Sequence, residues 1–270
     1  MDYHLAGNVA VVAGGGGAIG GEIAAALAKQ EVAIAIWDIN LSAAEQKAGE
    51  ITSAGGKAVG LQCDITSKTS IESAYEATLK EFFTVNFLIN SAGGSNKSTT
   101  TSNELHFSDL HVDDMVHVFL QNYMGTVMAS QLVARQFIKN KSGVILNISS
   151  IAGILPLTRA LSYSDAKAAV NSFTRWLAVH MAQNYSVNIR VNAIAPGFIL
   201  TNQNRFLLID ADSGELTDRG RQIFRTVPMA RFGKVQEIAD AALWLLSDRA
   251  SFVTGAVIPV DGGYTAYSGV

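Results

Sequence analysis

The chain has 270 residues, 49% of them hydrophobic and 16% charged. That is enough apolar material for a large core and too little charge for a disordered chain. Lys plus Arg number 20 against 23 for Asp plus Glu, a formal net charge of −3, which argues against nucleic acid or an anionic membrane surface as the main partner.

The first apolar run, Asn8–Ala13, leads into four consecutive glycines, Gly14 to Gly17, and reads as a buried parallel strand. Ala18–Gln30 follows as a helix, with Ile19, Ile23 and Leu27 at helical spacing. Val32–Trp37 is a second strand, and Ala43–Ala54 a polar helix stopped by Gly55 and Gly56. Ala58–Gln62 is strand three, Lys68–Phe83 an amphipathic helix and Val85–Asn90 strand four. Gly94 to His111 is polar and weakly periodic, a long loop or partial lid. Asp113–Lys139 is a long helix, Gly143–Ile148 strand five, Leu161–Asn184 another long helix and Asn188–Ile194 strand six. Thr201–Leu216 is irregular, Asp218–Thr226 and Val235–Ser247 are helices, and Ala256–Val260 is the last strand.

Strands alternating with helices imply right-handed βαβ units. The expected fold is α/β: a doubly wound, Rossmann-type parallel sheet of about seven strands with helices on both faces. Residues 1–270 read as one domain, with substrate loops near 94–111 and 197–217. No run approaches the roughly 18 apolar residues of a membrane helix. Met1–Gly7 lacks the pattern of a secretory signal. The lone cysteine, Cys63, excludes a disulfide within the chain, fits a reducing, cytoplasmic compartment, and reads as a small buried hydrophobe. His106, His111 and His117 match no common zinc spacing, so no metal is expected.

In such sheets a ligand sits beyond the carboxyl ends of the strands. The turn of Gly14, Gly15, Gly16, Gly17, Ala18, Ile19 and Gly20 joins a strand to a helix. Glycines permit positive φ and close approach of a pyrophosphate, which the helix N-terminus attracts. Asp38 follows Gly20 by eighteen residues and ends strand two. A carboxylate there accepts both ribose hydroxyls and repels a 2′-phosphate, at roughly 4 kcal/mol per unit-charge pair at about 4 Å and an effective dielectric of about 20. No Lys or Arg lies in the turn to offset this, so NAD is expected over NADP.

Tyr163 and Lys167 stand four apart at the start of a helix, hence on one face. A free phenol has a pKa near 10. An adjacent ammonium that favours phenolate by about 4 kcal/mol would bring it down by about three units. Lys167 can also hydrogen-bond a nicotinamide ribose. Ser150 precedes Tyr163 by thirteen residues and can polarise a carbonyl, and Asn122 sits mid-helix, where it could hold a water linking Lys167 to solvent.

The Gly-rich turn, Asp38, Asn90-Ser91-Ala92-Gly93, Ser150, Tyr163, Lys167 and Pro196-Gly197 together resemble the short-chain dehydrogenase/reductase family, from about Asn8 to Gly263. Ala13 and Ala18 stand where the family has Thr and its middle Gly, and Ser91 where it has a second Asn. The resemblance makes Ser150, Tyr163 and Lys167 the catalytic triad and Asn122 its fourth member. It puts Asp64, Ile65, Asn90, Ala92, Gly93, Pro196, Gly197, Ile199 and Thr201 in the cofactor site, Asp64 meeting the adenine and Thr201 the nicotinamide amide. It implies hydride transfer between NAD(H) and a carbonyl or secondary alcohol, usually by homotetramers; a homodimer is the other expected assembly. Trp176 and Phe173, on the Tyr163 helix, would then be interface residues.

Pro196–Ile199, Thr201–Arg205, Pro228–Gly233, the insert after Gly94 and the ending Val260–Val270 look like the D-mannonate oxidoreductase (fructuronate reductase) branch. The expected substrate is therefore a sugar acid. Lys97, Arg159 and Arg205 flank the strand ends that would receive it, an Arg fork would bind its carboxylate, and Asn96, Gln203 and Asn204 could read its hydroxyls. Two other readings stay open: a gluconate-type or 3-ketoacyl reductase with the same machinery, and a catalytically idle NAD-binding sensor or scaffold.

Overall fold

The computed structural model of the chain describes residues 3–201, 205–210 and 213–269, apart from the side chains of residues 206 and 207. Its strands are β1 (Val9–Ala13), β2 (Ala33–Asp38), β3 (Ala58–Gln62), β4 (Phe87–Asn90), β5 (Gly143–Ile148), β6 (Ile189–Pro196) and β7 (Val257–Val260). Its helices are α1 (Ala18–Ala28), α2 (Leu41–Ser53), α3 (Lys68–Phe82), α4 (Val112–Phe119), α5 (Gly125–Asn140), α6 (Leu161–Asn184), α7 (Arg205–Leu208), α8 (Asp218–Thr226) and α9 (Val235–Leu246).

The strands form one parallel sheet in the order β3-β2-β1-β4-β5-β6-β7. Side chains alternate across it. Ala10, Val12, Ile34 and Ile36 pack with α1, α2 and α9 on one face. Val11, Ala13, Ala35 and Trp37 pack with α3, α5 and α6 on the other. Both faces are covered, which is why the strands read as unbroken apolar runs. The strand order reverses at β1: Ala13 pairs with Trp37 on one side and Asn90 on the other. The Gly14 turn therefore opens at the switch point, where such sheets bind ligands. A smaller cluster of Leu208, Ile223 and Val227, with Phe198, Leu200, Phe232 and Tyr264 against it, lies under the 197–232 segment.

Arg190 on β6 is buried against the end of α9. Its guanidinium donates to the carbonyls of Leu245 at 2.8 Å and Ser247 at 3.0 Å, with longer contacts to Leu246 and Val253 at 3.4 Å. A cation at the end of α9 satisfies carbonyls that the helix leaves open and matches the sign of its dipole.

Three expectations change. The long helix predicted over Asp113–Lys139 is interrupted by a π-helical turn, Leu120–Met124, with Asn122 at its centre. The segment read as irregular over Thr201–Leu216 contains α7 and an Ile209–Leu216 bridge. Helix α2 begins at Leu41, two residues early, because Asn40 caps it by accepting from the Ala43 amide at 3.3 Å.

Candidate active site

A cleft of about 330 Å³ opens where β1, β4, β5 and β6 end. Gly14, Gly17, Ala18, Ile19 and Gly20 line one wall, Gly93 the next, Ser150, Tyr163 and Lys167 the third, and Pro196, Gly197, Ile199 and Thr201 the fourth. Residues more than 180 positions apart meet here because each wall is the carboxyl end of a parallel strand, the loop after it or the first turns of the helix that follows.

The first wall is a cradle that side chains would fill. Gly14 has φ +76°, and a Cβ on it would lie 2.5 Å from the Ala92 amide nitrogen. A Cβ on Gly20 would collide with the Gly14 carbonyl. Helix α1 has no side-chain cap and no acid in its first turn, so its amides stay open to an anion. Asp38, at the end of β2, accepts from the Gly16 amide at 3.0 Å and the Asn40 amide at 3.0 Å, which fixes its carboxylate beside the glycine turn. Beyond it a second cavity of about 400 Å³ is lined by Ile39, Gln62 and Asp64. This arrangement fits a dinucleotide: pyrophosphate at α1, ribose at Asp38, base near Asp64.

Some predicted cofactor residues also serve the framework. The Asn90 side chain is buried and donates to Ser130 at 3.0 Å and Asn147 at 2.9 Å. Ile65 packs on Gly125 of α5, and Ala92 packs into the core under α3 and α5. Asp64 accepts from the Thr66 amide at 2.8 Å and the Thr66 hydroxyl at 2.6 Å, which shapes the turn after β3.

The catalytic wall is built by close packing of the loop after β5 onto α6. Ser149 donates to Asn171 at 2.5 Å, and Asn171 donates to the Gly153 carbonyl at 2.9 Å. A Cβ on Gly153 would stand 2.5 Å from the Lys167 carbonyl carbon, so only glycine lets this loop seat there. Ser150 caps the short turn Ile151–Gly153, accepting from the Ala152 amide at 3.1 Å, and its hydroxyl favours the charged form of the neighbouring Tyr163 phenol. Lys167 is buried one turn along α6, its Nζ 5.6 Å from the centre of the Tyr163 ring.

The expectation that this ammonium pulls the phenol down is reversed here. Burial pushes the Tyr163 phenol above its ordinary value, with the Ser150 hydrogen bond pulling back. Lys167 spends its charge elsewhere, donating to the Ile148 carbonyl at 2.9 Å. Burial brings Lys167 itself down to about 8.

That shift has two opposite consequences. If the ammonium is needed, reduction should lose kcat/KM about tenfold per pH unit above about 8, while Tyr163 still holds its proton. Stability runs the other way. The folded chain gives up this proton at about 8 and the unfolded chain near 10.5, so the unfolded state binds more protons between those values. The cost of burying the charge, on the order of 3 kcal/mol, is present in full below pH 8 and vanishes as pH rises to about 10.5. Lys167→Met is expected to be inactive yet at least as stable as wild type at pH 7, with the gap closing by pH 10; denaturant melts at both pH values check this. A marked loss of stability at pH 7 would show the opposite balance.

Asn122 does not reach Lys167. Its side chain accepts from the Gly94 amide at 3.0 Å and donates to the carbonyls of Gly94 at 2.8 Å and Val118 at 2.9 Å. Both its donors are used, and only the second lone pair of Oδ1 is left for a water. The π turn aims this side chain across the cleft floor, a common use of that geometry. A Cβ on Gly93 would collide with Asn122 Oδ1.

Of the predicted substrate residues, Asn96, Lys97, Arg159 and Arg205 do not line the cleft. The insert is strapped to the segment before α6 by a Thr100–Ala160 bridge and by the Thr101 amide donating to the Arg159 carbonyl at 3.0 Å. Lys97 and Arg159 are exposed there, and neither has an ion-pair partner among the described residues. Asn96 is occupied as a cap, accepting from the Ser98 amide at 3.2 Å. Arg205 is exposed at the start of α7. Gln203 and Asn204 lie outside the described residues. Sequence reading missed Ser91, Ser149, Leu157 and Phe198 in the cleft, and Ile39 at the adenine end. Ile39 had a signal: an aliphatic side chain directly after the ribose acid, 65% exposed.

A family model described as enoyl-(acyl carrier protein) reductase matches residues 14–265. An uncharacterized oxidoreductase, UxuB, of Bacillus subtilis is 40% identical over 100% of this chain and 99% of its own length. A crystal structure of a candidate D-mannonate oxidoreductase from Haemophilus influenzae, with bound NAD, superposes with a TM-score of 0.93 at 39% identity, covering 99% of this chain and 98% of that one. A 7α-hydroxysteroid dehydrogenase complexed with NADH and a 7-oxo bile acid superposes with a TM-score of 0.85 at 33% identity, over 97% and 96% of the two chains.

Proposed function

This chain belongs to the short-chain dehydrogenase/reductase family and is an NAD-dependent oxidoreductase, and on that premise we propose that it interconverts a keto-sugar acid and its alcohol, D-fructuronate and D-mannonate. Bound NADH supplies the hydride for the carbonyl carbon. Ser150 and Tyr163 hold the carbonyl oxygen, and the Tyr163 phenol, protonated through neutral pH, gives its proton to that oxygen as charge develops there. Lys167 sits behind the phenol as a cation and offers donors toward the ribose edge of the cleft. Asn122 fixes Gly94 and so the cleft floor.

The reading rests on two exposed cations without an ion-pair partner among the described residues: Arg159, between the cleft-lining Leu157 and Tyr163, and Lys97, on the insert strapped to Ala160. A neutral substrate gives them no role, whereas a carboxylate does. The name of the NAD-bound relative points the same way. NADH consumption should be followed with D-fructuronate, a 5-keto-gluconate, a 3-ketoacyl thioester and a 7-oxo bile acid, each repeated with NADPH. D-Fructuronate is expected to give the highest kcat/KM, and NADPH a much lower one. Faster turnover of the thioester or bile acid defeats the assignment, and tight NADH binding without turnover favours the idle sensor.

The assembly we propose is a homotetramer or homodimer. A groove of about 670 Å³ between α5 and α6 is lined by Tyr123, Phe173 and Trp176. Trp176 is 60% exposed and Val179 57%, an apolar face typical of subunit contact. No described helix is long and apolar enough to cross a membrane. The Cys63 thiol, pushed up to about 12 by burial, stays protonated, in keeping with the cytoplasmic placement proposed.

A further inference from the structure

Helix α6 meets the end of β5 through a row of polar side chains. Tyr163, Lys167, Asn171 and Thr174 follow one another at helical spacing and share one face of the helix. Their partners run the opposite way along β5. Tyr163 and Ser150 line the same cleft, Lys167 Nζ donates to the Ile148 carbonyl, and the Asn147 side chain donates to the Thr174 hydroxyl at 2.9 Å.

Asn171 is the member of this row whose two contacts straddle Ser150. Its Oδ1 accepts from the Ser149 hydroxyl at 2.5 Å, and its Nδ2 donates to the Gly153 carbonyl at 2.9 Å. Asn171 is 3% exposed, so water competes little for either bond. The bonds that Ser150 makes within its own turn are different. Its hydroxyl accepts from the Ala152 amide and its carbonyl from the Gly153 amide at 3.0 Å. These fix Ser150 relative to the turn and not relative to Tyr163. The Ser149 amide donates to the Ile194 carbonyl at 2.8 Å, which ties the near end of the segment to β6. Asn171 ties both ends to the helix that bears Tyr163.

We propose that Asn171 is a positioning residue for the reduction: it clamps residues 149–153 onto α6 and so sets how far the Ser150 hydroxyl stands from the Tyr163 phenol. The clamp rests on the reading that these two groups share one carbonyl oxygen, and holds whichever carbonyl compound is the substrate. Asn171 does not line the cleft. A misplacement of about 1 Å can nevertheless cost a factor of about 10² in rate, so a residue that touches neither substrate nor cofactor controls the chemical step.

A double-mutant cycle tests this, run on the compound of the panel above that is reduced fastest. Asn171→Ala should lower kcat by roughly 10–100-fold, with NADH affinity, followed by fluorescence, within about twofold of wild type. In Ser150→Ala the hydroxyl to be positioned is already gone, and there Asn171→Ala should cost less than about threefold. A general loosening of the fold would carry the full loss into both backgrounds. Ser149→Ala removes one of the two clamp bonds and should show the same pattern at smaller size; it takes the place of Asn171→Ala in the cycle if that variant does not fold. Equal losses in both backgrounds, kcat of Asn171→Ala within about threefold of wild type, or NADH affinity falling in step with kcat overturns the clamp. Near-full activity of Ser150→Ala removes the role of Ser150 and the clamp with it, whereas a crippled Ser150→Ala with multiplying losses removes the clamp alone.

Discussion

Tyr163→Phe is expected to lower the rate of NADH-dependent reduction by a factor of about 10²–10⁴, with NADH binding and Tm close to wild type. The substitution removes one oxygen and keeps the ring that walls the cleft. Ser150 keeps its hydrogen bond from the Ala152 amide at 3.1 Å, so the loop after β5 holds its shape. What is lost is the donor that the proposed mechanism sets at the carbonyl oxygen. Lys167 stays anchored to the Ile148 carbonyl at 2.9 Å, with its Nζ 5.6 Å from the centre of the residue-163 ring. Stopped-flow turnover and fluorescence titration with NADH separate the two effects. A variant that keeps more than a tenth of the activity would show that another group delivers the proton.

Gly14→Ala is expected to cost on the order of 3 kcal/mol and a Tm loss of roughly 6–12 °C, and to weaken NADH binding at least a hundredfold. Two penalties act together. An alanine at φ +76° is strained wherever it sits. Its Cβ would also lie 2.5 Å from the Ala92 nitrogen and 2.6 Å from the Ala92 Cα. Those are backbone atoms of the neighbouring loop and cannot rotate away, so the ends of β1 and β4 must part at the phosphate cradle. Gly17→Ala is the control: its Cβ meets only the Gly14 carbonyl, at 3.3 Å. Comparable losses from both substitutions would point to a general intolerance of the turn and not to this contact.

Much of this architecture was legible in the chain because the physics is local. Continuous apolar runs marked the strands, glycines marked the turns, and α6 and α8 have the predicted bounds, Leu161–Asn184 and Asp218–Thr226. The cleft followed from rules about where parallel strands end. What stayed hidden depends on contacts between distant segments. The π turn at Asn122 is stabilised by the amide and carbonyl of Gly94, 28 positions away, and no helical periodicity announces that. The direction of the phenol shift could not be read from a four-residue spacing, since spacing shows neither burial nor the carbonyl that captures the lysine. Asn90 looked like a ligand-binding polar residue at a strand end, but its side chain ties β4 to β5 and α5.

Acidification adds no proton to the Arg190 clamp. Its hydrogen-bond acceptors are main-chain carbonyls, so neither acid nor salt removes the charge on which it depends. The carboxylates at the other end of the sheet are different. Arg231 holds Glu237 down to about 2. Asp261 is pushed up by burial, but hydrogen bonds from Thr265 and Gly263 hold it below its ordinary value. Both contribute stability at neutral pH that fades as acidification protonates them. Gradual acidification should therefore loosen the Arg231–Glu237 pair and the turn of Asp261–Thr265 first, while the seam between β6 and the end of α9 stays fastened.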